Sequence, residues 1–267
     1  MARKSVNDFA EKKRAGERLV LLTAYDYTFG KIVDDSGVID GILVGDSLAM
    51  VVQGAENTLG VTMDEMVYHT KLVSRAATNA MVIGDMPFMS YHTSVEEAVR
   101  NAGRFIKEGG AQAIKLEGGA EVKEKVRSIT NAEIPVMAHI GLTPQAINRM
   151  GGYKVQGKTV DAKRRLMDDA LALEDAGAFC IVLEAIPMEL ARDITAKLTI
   201  PTIGIGAGMH CDGQILVLHD IIGIFERFLP KFAKRYTNLK EETLNAVKLY
   251  AKEVTAGVFP SEKESFK

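Results

Sequence analysis

Two apolar runs of this chain finish alike. ILVGDS, residues 42–47, ends in an aspartate and a serine, and the run MVIGDMP, residues 81–87, also closes on Gly-Asp. A carboxylate at the end of a hydrophobic run is expensive to desolvate, so it needs a partner or water. Other apolar runs close on polar residues too: Asp26 after RLVLLTAY, Lys115 and Glu117 in AIKLEGG, His139 in PVMAHIGL and Glu184 in CIVLEAIP. Acids sharing one mouth repel, at roughly 4 kcal/mol for two unit charges about 4 Å apart in an intermediate dielectric. A bound cation relieves that repulsion. Oxygen ligands without a Cys or His cluster point to a hard ion, Mg²⁺ ahead of Mn²⁺ or Ca²⁺. Asp46 and Asp85 are the expected direct ligands, with Glu117 a third that acts directly or through water. The competing reading is that these acids cap the following helices or pair with lysines. It fits any one of them better than it fits the set.

Lys115 and Glu117 stand two apart, so on one strand both point the same way. Lys115 either binds an anionic substrate or neutralises Glu117, and the two roles are compatible. His139 is a pocket residue or a hydrogen-bonded structural histidine. Glu184 follows CIVL as Asp46 follows ILVG, and that parallel suggests a catalytic base. The GIGAG stretch, residues 204–208, is a weak phosphate signal, because it lacks both the Lys-Ser/Thr of a P-loop and the GxGxxG spacing. His210-Cys211-Asp212 lacks the second ligand pair that zinc spacing requires. Cys180 reads as a small buried hydrophobe.

Something must bring these residues together. Eight short apolar runs alternate with amphipathic stretches, at 18–26, 41–46, 80–87, 113–119, 135–142, 180–187, 201–208 and 214–223. They are apolar on both faces, as a parallel sheet covered on two sides requires. Between them, Thr62 with Glu65 and Ser94 with Glu97 read as capping boxes that open helices. A last helix over 239–256 carries Leu244, Val247, Tyr250, Ala251 and Val254 on one face, to seal the barrel or reach a neighbouring subunit. Eight βα steps favour a (β/α)8 TIM barrel over an open doubly wound sheet, as one domain over residues 1–267. In such a barrel the strand ends form the catalytic face. The loop 143–159 is a lid or a plain connection.

Composition narrows the setting. Hydrophobic residues at 47% and charged residues at 25% suit a soluble globular protein, and a net charge of −2 argues against a nucleic-acid surface. Two cysteines make no disulfide framework, so a reducing cytosol fits. The charged N-terminus does not read as a signal peptide, and no apolar run has the length of a membrane span. The expectation is a cytoplasmic protein without membrane or nucleic-acid partners.

The motifs LTAYDYTFGKIVDDSG, GILVGDSLAMVVQG, TLGVTMDEMVYHTKLVSRA, GDMPFMSY, AIKLEGG, VMAHIGLTPQ and GIGAG resemble the ketopantoate (3-methyl-2-oxobutanoate) hydroxymethyltransferase family. The similarity runs over residues 21–229, and the C-terminal stretch matches less distinctly. It implies a barrel of the phosphoenolpyruvate-mutase/isocitrate-lyase type, a Mg²⁺ ion and a homodecamer. The implied reaction moves a hydroxymethyl group from 5,10-methylenetetrahydrofolate to 3-methyl-2-oxobutanoate. It gives 2-dehydropantoate, for pantothenate and coenzyme A, through a metal-stabilised enolate. Carried over by motif, Asp46 and Asp85 hold the metal and the substrate, and Glu117 is the third acid. Ser47 and Lys115 bind the 2-oxo acid, Glu184 accepts the proton, and His139 is the second candidate for the base. Two other readings fare worse. A lyase or phosphonate mutase of the same superfold would carry a catalytic cysteine loop where this chain has EGGAEVKEKV, residues 117–126. A non-catalytic scaffold would be expected to lose a strand-end acid.

Overall fold

The structure, a computed structural model, describes residues 3–227 and 230–267. Its elements run α1 (Val6–Ala15), β1 (Leu19–Thr23), α2 (Tyr27–Asp35), β2 (Gly41–Val44), α3 (Leu48–Val51), α4 (Met63–Ala76), β3 (Met81–Asp85), α5 (Val95–Lys107), β4 (Ala113–Glu117), α6 (Lys123–Asn131) and β5 (Val136–Gly141). They continue with α7 (Ile147–Met150), α8 (Val160–Asp175), β6 (Cys180–Glu184), α9 (Met188–Lys197), β7 (Thr202–Ile205), β8 (Gly213–Leu216), α10 (Leu218–Ile221) and α11 (Leu239–Thr255). The strands pair in parallel and in chain order, and β1 meets β8 to close the barrel. The chain divides after Val217, and all eight strands precede that point.

Side chains alternate in and out along each strand, and the inward set switches character along the barrel axis. Its lower part is an apolar cluster that includes Leu19, Leu43, Met81, Ile83, Met137 and Val182. Phe9 of α1 joins that cluster, edge-to-face on Phe179 with centroids 5.6 Å apart. Two residues further along, the same parity delivers polar groups: Asp85 after Ile83, Lys115 after Ala113, His139 after Met137 and Glu184 after Val182. A packed apolar base thus supports a polar rim at the strand C-termini.

Helix starts follow local chemistry. Thr62 and Glu65 form the expected capping box, with bonds of 3.3 Å and 2.8 Å. At α5, Ser94 accepts from Glu97 N at 3.1 Å, but the expected return bond, from the Ser94 N–H to the Glu97 carboxylate, is not formed. The α5 stripe buries Ala98, Ala102 and Phe105. Full burial of a side chain such as Phe105 contributes about 1.5–3 kcal/mol.

Several expected strands are shorter in the structure, because the backbone leaves the ladder as each βα loop begins. The eighth is the clearest case: residues 214–223 read as one run, yet 218–221 are helical. Asp26 is a second correction. Its carboxylate accepts from Phe29 N at 2.8 Å and caps α2, so it serves the helix and not the mouth. In the C-terminal unit α11 buries none of its residues, and Leu244, Val247, Tyr250 and Val254 are all exposed.

Candidate active site

Asp46, Asp85, Lys115, Glu117 and His139 are all at most 4% exposed, and they converge at the strand ends. Register explains the meeting. Asp85 pairs with Lys115 across β3–β4, Glu117 with His139 across β4–β5, and Gly141 with Glu184 across β5–β6. The Lys115 ammonium lies 2.7 Å from Asp85 Oδ1 and 3.3 Å from Glu117 Oε1. Asp46 stands just beyond β2, and its backbone N–H donates to Asp85 Oδ2 at 3.0 Å. His139 Nδ1 lies 3.4 Å from Glu117 Oε1, and Nε2 lies 3.1 Å from Glu184 Oε2. Neither ring N–H points squarely at its oxygen, so these are close electrostatic contacts and not aligned hydrogen bonds.

Loop residues that sequence reading did not single out complete the site. Gln145 donates from its amide to Asp46 Oδ2 and to the Met86 carbonyl, both at 2.9 Å, and from its backbone to Glu117 Oε2 at 3.1 Å. The Tyr91 hydroxyl stands 2.7 Å from Gln145 Oε1 and accepts from Glu117 N at 3.1 Å. The Tyr25 hydroxyl is 2.8 Å from Ser47 Oγ, which orients the serine. Gln145 and Tyr91 belong to the quoted motifs VMAHIGLTPQ and GDMPFMSY. A polar residue a few positions past a strand end was the available signal.

The electrostatics are unbalanced. Burial pushes the Asp46 carboxyl well above its usual range, and Asp85 and Glu117 push it further. Burial also raises Asp85, although Lys115 opposes it. Burial works against ionised Glu117, but Lys115 and His139 outweigh it and hold the group near about 2. For His139, burial and Lys115 favour the neutral ring, yet Glu117 and Glu184 win and lift it to about 9. Acid is in excess, and the excess gathers at Asp46 and Asp85.

That arrangement fits a divalent cation. Among the described residues no three His, Cys, Asp or Glu side chains form a ready cage, and Lys115 stands between Asp85 and Glu117. Both Glu117 oxygens are engaged, by Lys115 and His139 on one side and Gln145 on the other. Asp85 is engaged too, by Lys115 at Oδ1 and the Asp46 N–H at Oδ2, whereas among the described residues the Asp46 carboxylate is bonded only at Oδ2, by Gln145. Together they make a carboxylate pair of the kind Mg²⁺ accepts when water and substrate complete the shell. The His210-Cys211-Asp212 triplet has no such character. Asp212 accepts from Thr202 N at 2.8 Å and from Lys13 at 2.9 Å, so it ties the barrel together. A separate cavity of about 380 Å³ is lined by Gly118, Ile140, Arg149, Leu166 and Asp169 among others, but by none of the converging acids.

A family model described as ketopantoate hydroxymethyltransferase matches residues 3–262. The 3-methyl-2-oxobutanoate hydroxymethyltransferase of Clostridium botulinum (strain Alaska E43 / Type E3) is 56% identical over 98% of this chain and 95% of its own. The enzyme of the same name from Geobacter metallireducens is 56% identical over 99% and 98%. Among solved structures, a phosphonopyruvate hydrolase in complex with oxalate and Mg²⁺ has a TM-score of 0.63 at 13% identity, covering 98% of this chain and 93% of that one. A 2,3-dimethylmalate lyase, a member of the PEP mutase/isocitrate lyase superfamily, has a TM-score of 0.60 at 17% identity, covering 100% and 93%. These two likenesses establish the shared barrel fold. Among the described residues no helix is long and apolar enough to cross a membrane.

Proposed function

Because the chain belongs to the ketopantoate hydroxymethyltransferase family of transferases, we propose that it transfers a hydroxymethyl group from 5,10-methylenetetrahydrofolate to 3-methyl-2-oxobutanoate, giving 2-dehydropantoate. The observation that carries this reading is the switch from apolar to polar along the barrel interior. It delivers acids from several strands, one lysine and one histidine to a single buried mouth.

Asp46 and Asp85 would hold Mg²⁺, with Glu117 behind them through water, and the ion would supply a Lewis acid to the 2-oxo acid. The protein's own groups do the rest. Lys115 meets the substrate carboxylate as a fixed positive charge, and Ser47, oriented by Tyr25, donates to it. Gln145 and Tyr91 hold the acids in place, so little reorganisation accompanies the reaction. Glu184 takes the proton from C3. Its Oε2 faces His139, and among the described residues its Oε1 has no assigned partner. His139 has an acid against each ring nitrogen, so it positions Glu184 and is not itself the base. Carbon 3, stripped of its proton, forms the new C–C bond to the methylene carbon of the donor; both C–N bonds of that carbon break, water supplies the hydroxyl oxygen, and tetrahydrofolate leaves with the protons.

The exposed stripe of α11 supports packing against a neighbouring subunit of a homo-oligomer, with the decamer as the assembly to test. The function itself is tested by deuterium exchange into 3-methyl-2-oxobutanoate, followed by proton NMR with Mg²⁺ and with excess EDTA. The expected result is loss of the C3 signal in Mg²⁺ alone. No exchange in either condition, even with tetrahydrofolate added, would overturn the reading.

A further inference from the structure

Residues 153–156 run across the mouth. At one end the Tyr153 hydroxyl lies 3.8 Å from Met50 Sδ, and Met50 belongs to α3, three residues past Ser47 on the β2 side. At the other end Gln156 N donates to the Ala185 carbonyl at 2.9 Å, next to Glu184 on the β6 side. Strands 2 and 6 of an eight-stranded barrel face each other across its axis. Gly151 and Gly152, with φ of 65° and 111°, let the chain leave α7 sharply enough to make this crossing. Tyr153 therefore stands above the acids. Burial raises its pKa first, and Asp46, Glu184 and Glu117 push it the same way from below.

The residue is also 47% exposed, so it meets solvent as well as the site. The small 2-oxo acid belongs beneath it, among groups that are almost fully buried. A larger second substrate must bring its reactive carbon to C3 from outside, past Tyr153. A half-exposed aromatic ring, with a polarizable sulfur near its hydroxyl end, is suited to stack on a planar heteroaromatic system.

We propose that Tyr153 is a specificity-determining residue for the second substrate, its ring the stacking platform for the planar bicycle of the one-carbon donor. This rests on the function proposed above and assigns a place to its second substrate. The test compares Tyr153→Ala and Tyr153→Phe in two assays: C3 deuterium exchange with the 2-oxo acid and Mg²⁺ alone, and full transfer with 5,10-methylenetetrahydrofolate. In Tyr153→Ala the donor KM should rise roughly tenfold or more, the scale expected when a stacked ring is lost. The exchange rate and the KM for the 2-oxo acid should stay within about twofold, which also shows that the variant is folded. Tyr153→Phe should behave as wild type. Slowed exchange with an unchanged donor KM would overturn the platform and make the ring a cover for the 2-oxo acid. A Phe variant as impaired as the Ala variant would overturn it in favour of the hydroxyl. Absence of exchange in the wild type, even with tetrahydrofolate added, would overturn the functional reading and the platform with it, whereas normal exchange with an unchanged donor KM in Tyr153→Ala would overturn the platform alone.

Discussion

The Nε2 atom of His139 lies 3.1 Å from Oε2 of Glu184, across the boundary between β5 and β6. Both Glu117 and Glu184 favour the charged ring, so the imidazole acts as a cation bridging two acids. On the function proposed above, the two residues have different tasks. Glu184→Gln should retain binding of 3-methyl-2-oxobutanoate but slow C3 exchange by roughly 10²–10⁴, the range of a lost general base. His139→Gln should slow exchange less, because Glu184 remains and only its placement suffers. Exchange followed by NMR checks both. Normal exchange in Glu184→Gln with none in His139→Gln would reverse the assignment.

Asp85 touches Lys115 through one oxygen and the Asp46 backbone through the other. Replacing it by Asn keeps the shape but removes one of the two charges that would attract the cation. We expect calorimetry to show that Mg²⁺ no longer tightens binding of the 2-oxo acid to Asp85→Asn. An undiminished effect of Mg²⁺ would rule Asp85 out as a ligand. Lys115→Met should be the more damaging change to stability. It leaves Asp85 and Glu117 buried without their cation, at about 3–5 kcal/mol, read by urea denaturation.

Asp34 gives a pH-dependent prediction away from the site. It is 1% exposed, and its carboxylate accepts backbone bonds from Thr78 (2.7 Å), Asn79 (3.0 Å) and Ala80 (2.8 Å) just before β3. Burial pushes its pKa up, but those bonds outweigh burial and leave it below the usual carboxylate value. A depressed pKa contributes stability that is fully present above the unfolded value of about 3.9 and is lost as pH falls through the folded value. Asp34→Ala should cost about 2–4 kcal/mol at pH 7, since several buried donors lose their acceptor. The gap between wild type and variant should narrow as the pH drops below 4. A gap constant from pH 7 to pH 2.5 in urea titrations would show that the carboxylate charge is not what matters.

Much of this was legible in the chain itself. The short apolar strand runs and the Thr62 cap are local signals, and Asp46, Asp85, Lys115, Glu117, His139 and Glu184 lie at strand ends whose neighbours follow from the barrel. Asp26 misled because an N-cap and a strand-end acid look alike until the following helix is seen. Gln145, Tyr91 and Tyr153 were harder. Their roles depend on how loops fold back over the mouth, and tertiary contacts set that path with no periodic pattern to reveal it.

Gly141 is the place where backbone and chemistry are most tightly joined. It ends β5 with φ of 98°, and a Cβ there would run into the Glu184 carbonyl and stand 2.8 Å from Ile186 Cγ2. Leu142 N also donates to that carbonyl at 2.9 Å, so the peptide after Glu184 is held from the β5 side. Gly141→Ala therefore carries two penalties, left-handed strain of about 1–2 kcal/mol and overpacking of about 1–3 kcal/mol. Its carbonyl contact also forces the Glu184 peptide to move, so C3 exchange should fall further than the remaining folded fraction explains. Gly37→Ala is the control. Its φ is 71°, but nothing lies within 4 Å of the added methyl, so it should show the strain alone and normal exchange. Urea denaturation and exchange on both variants separate the two effects. Equal losses of stability and normal exchange in both would mean that Gly141 serves only the turn and that Glu184 is not positioned through it.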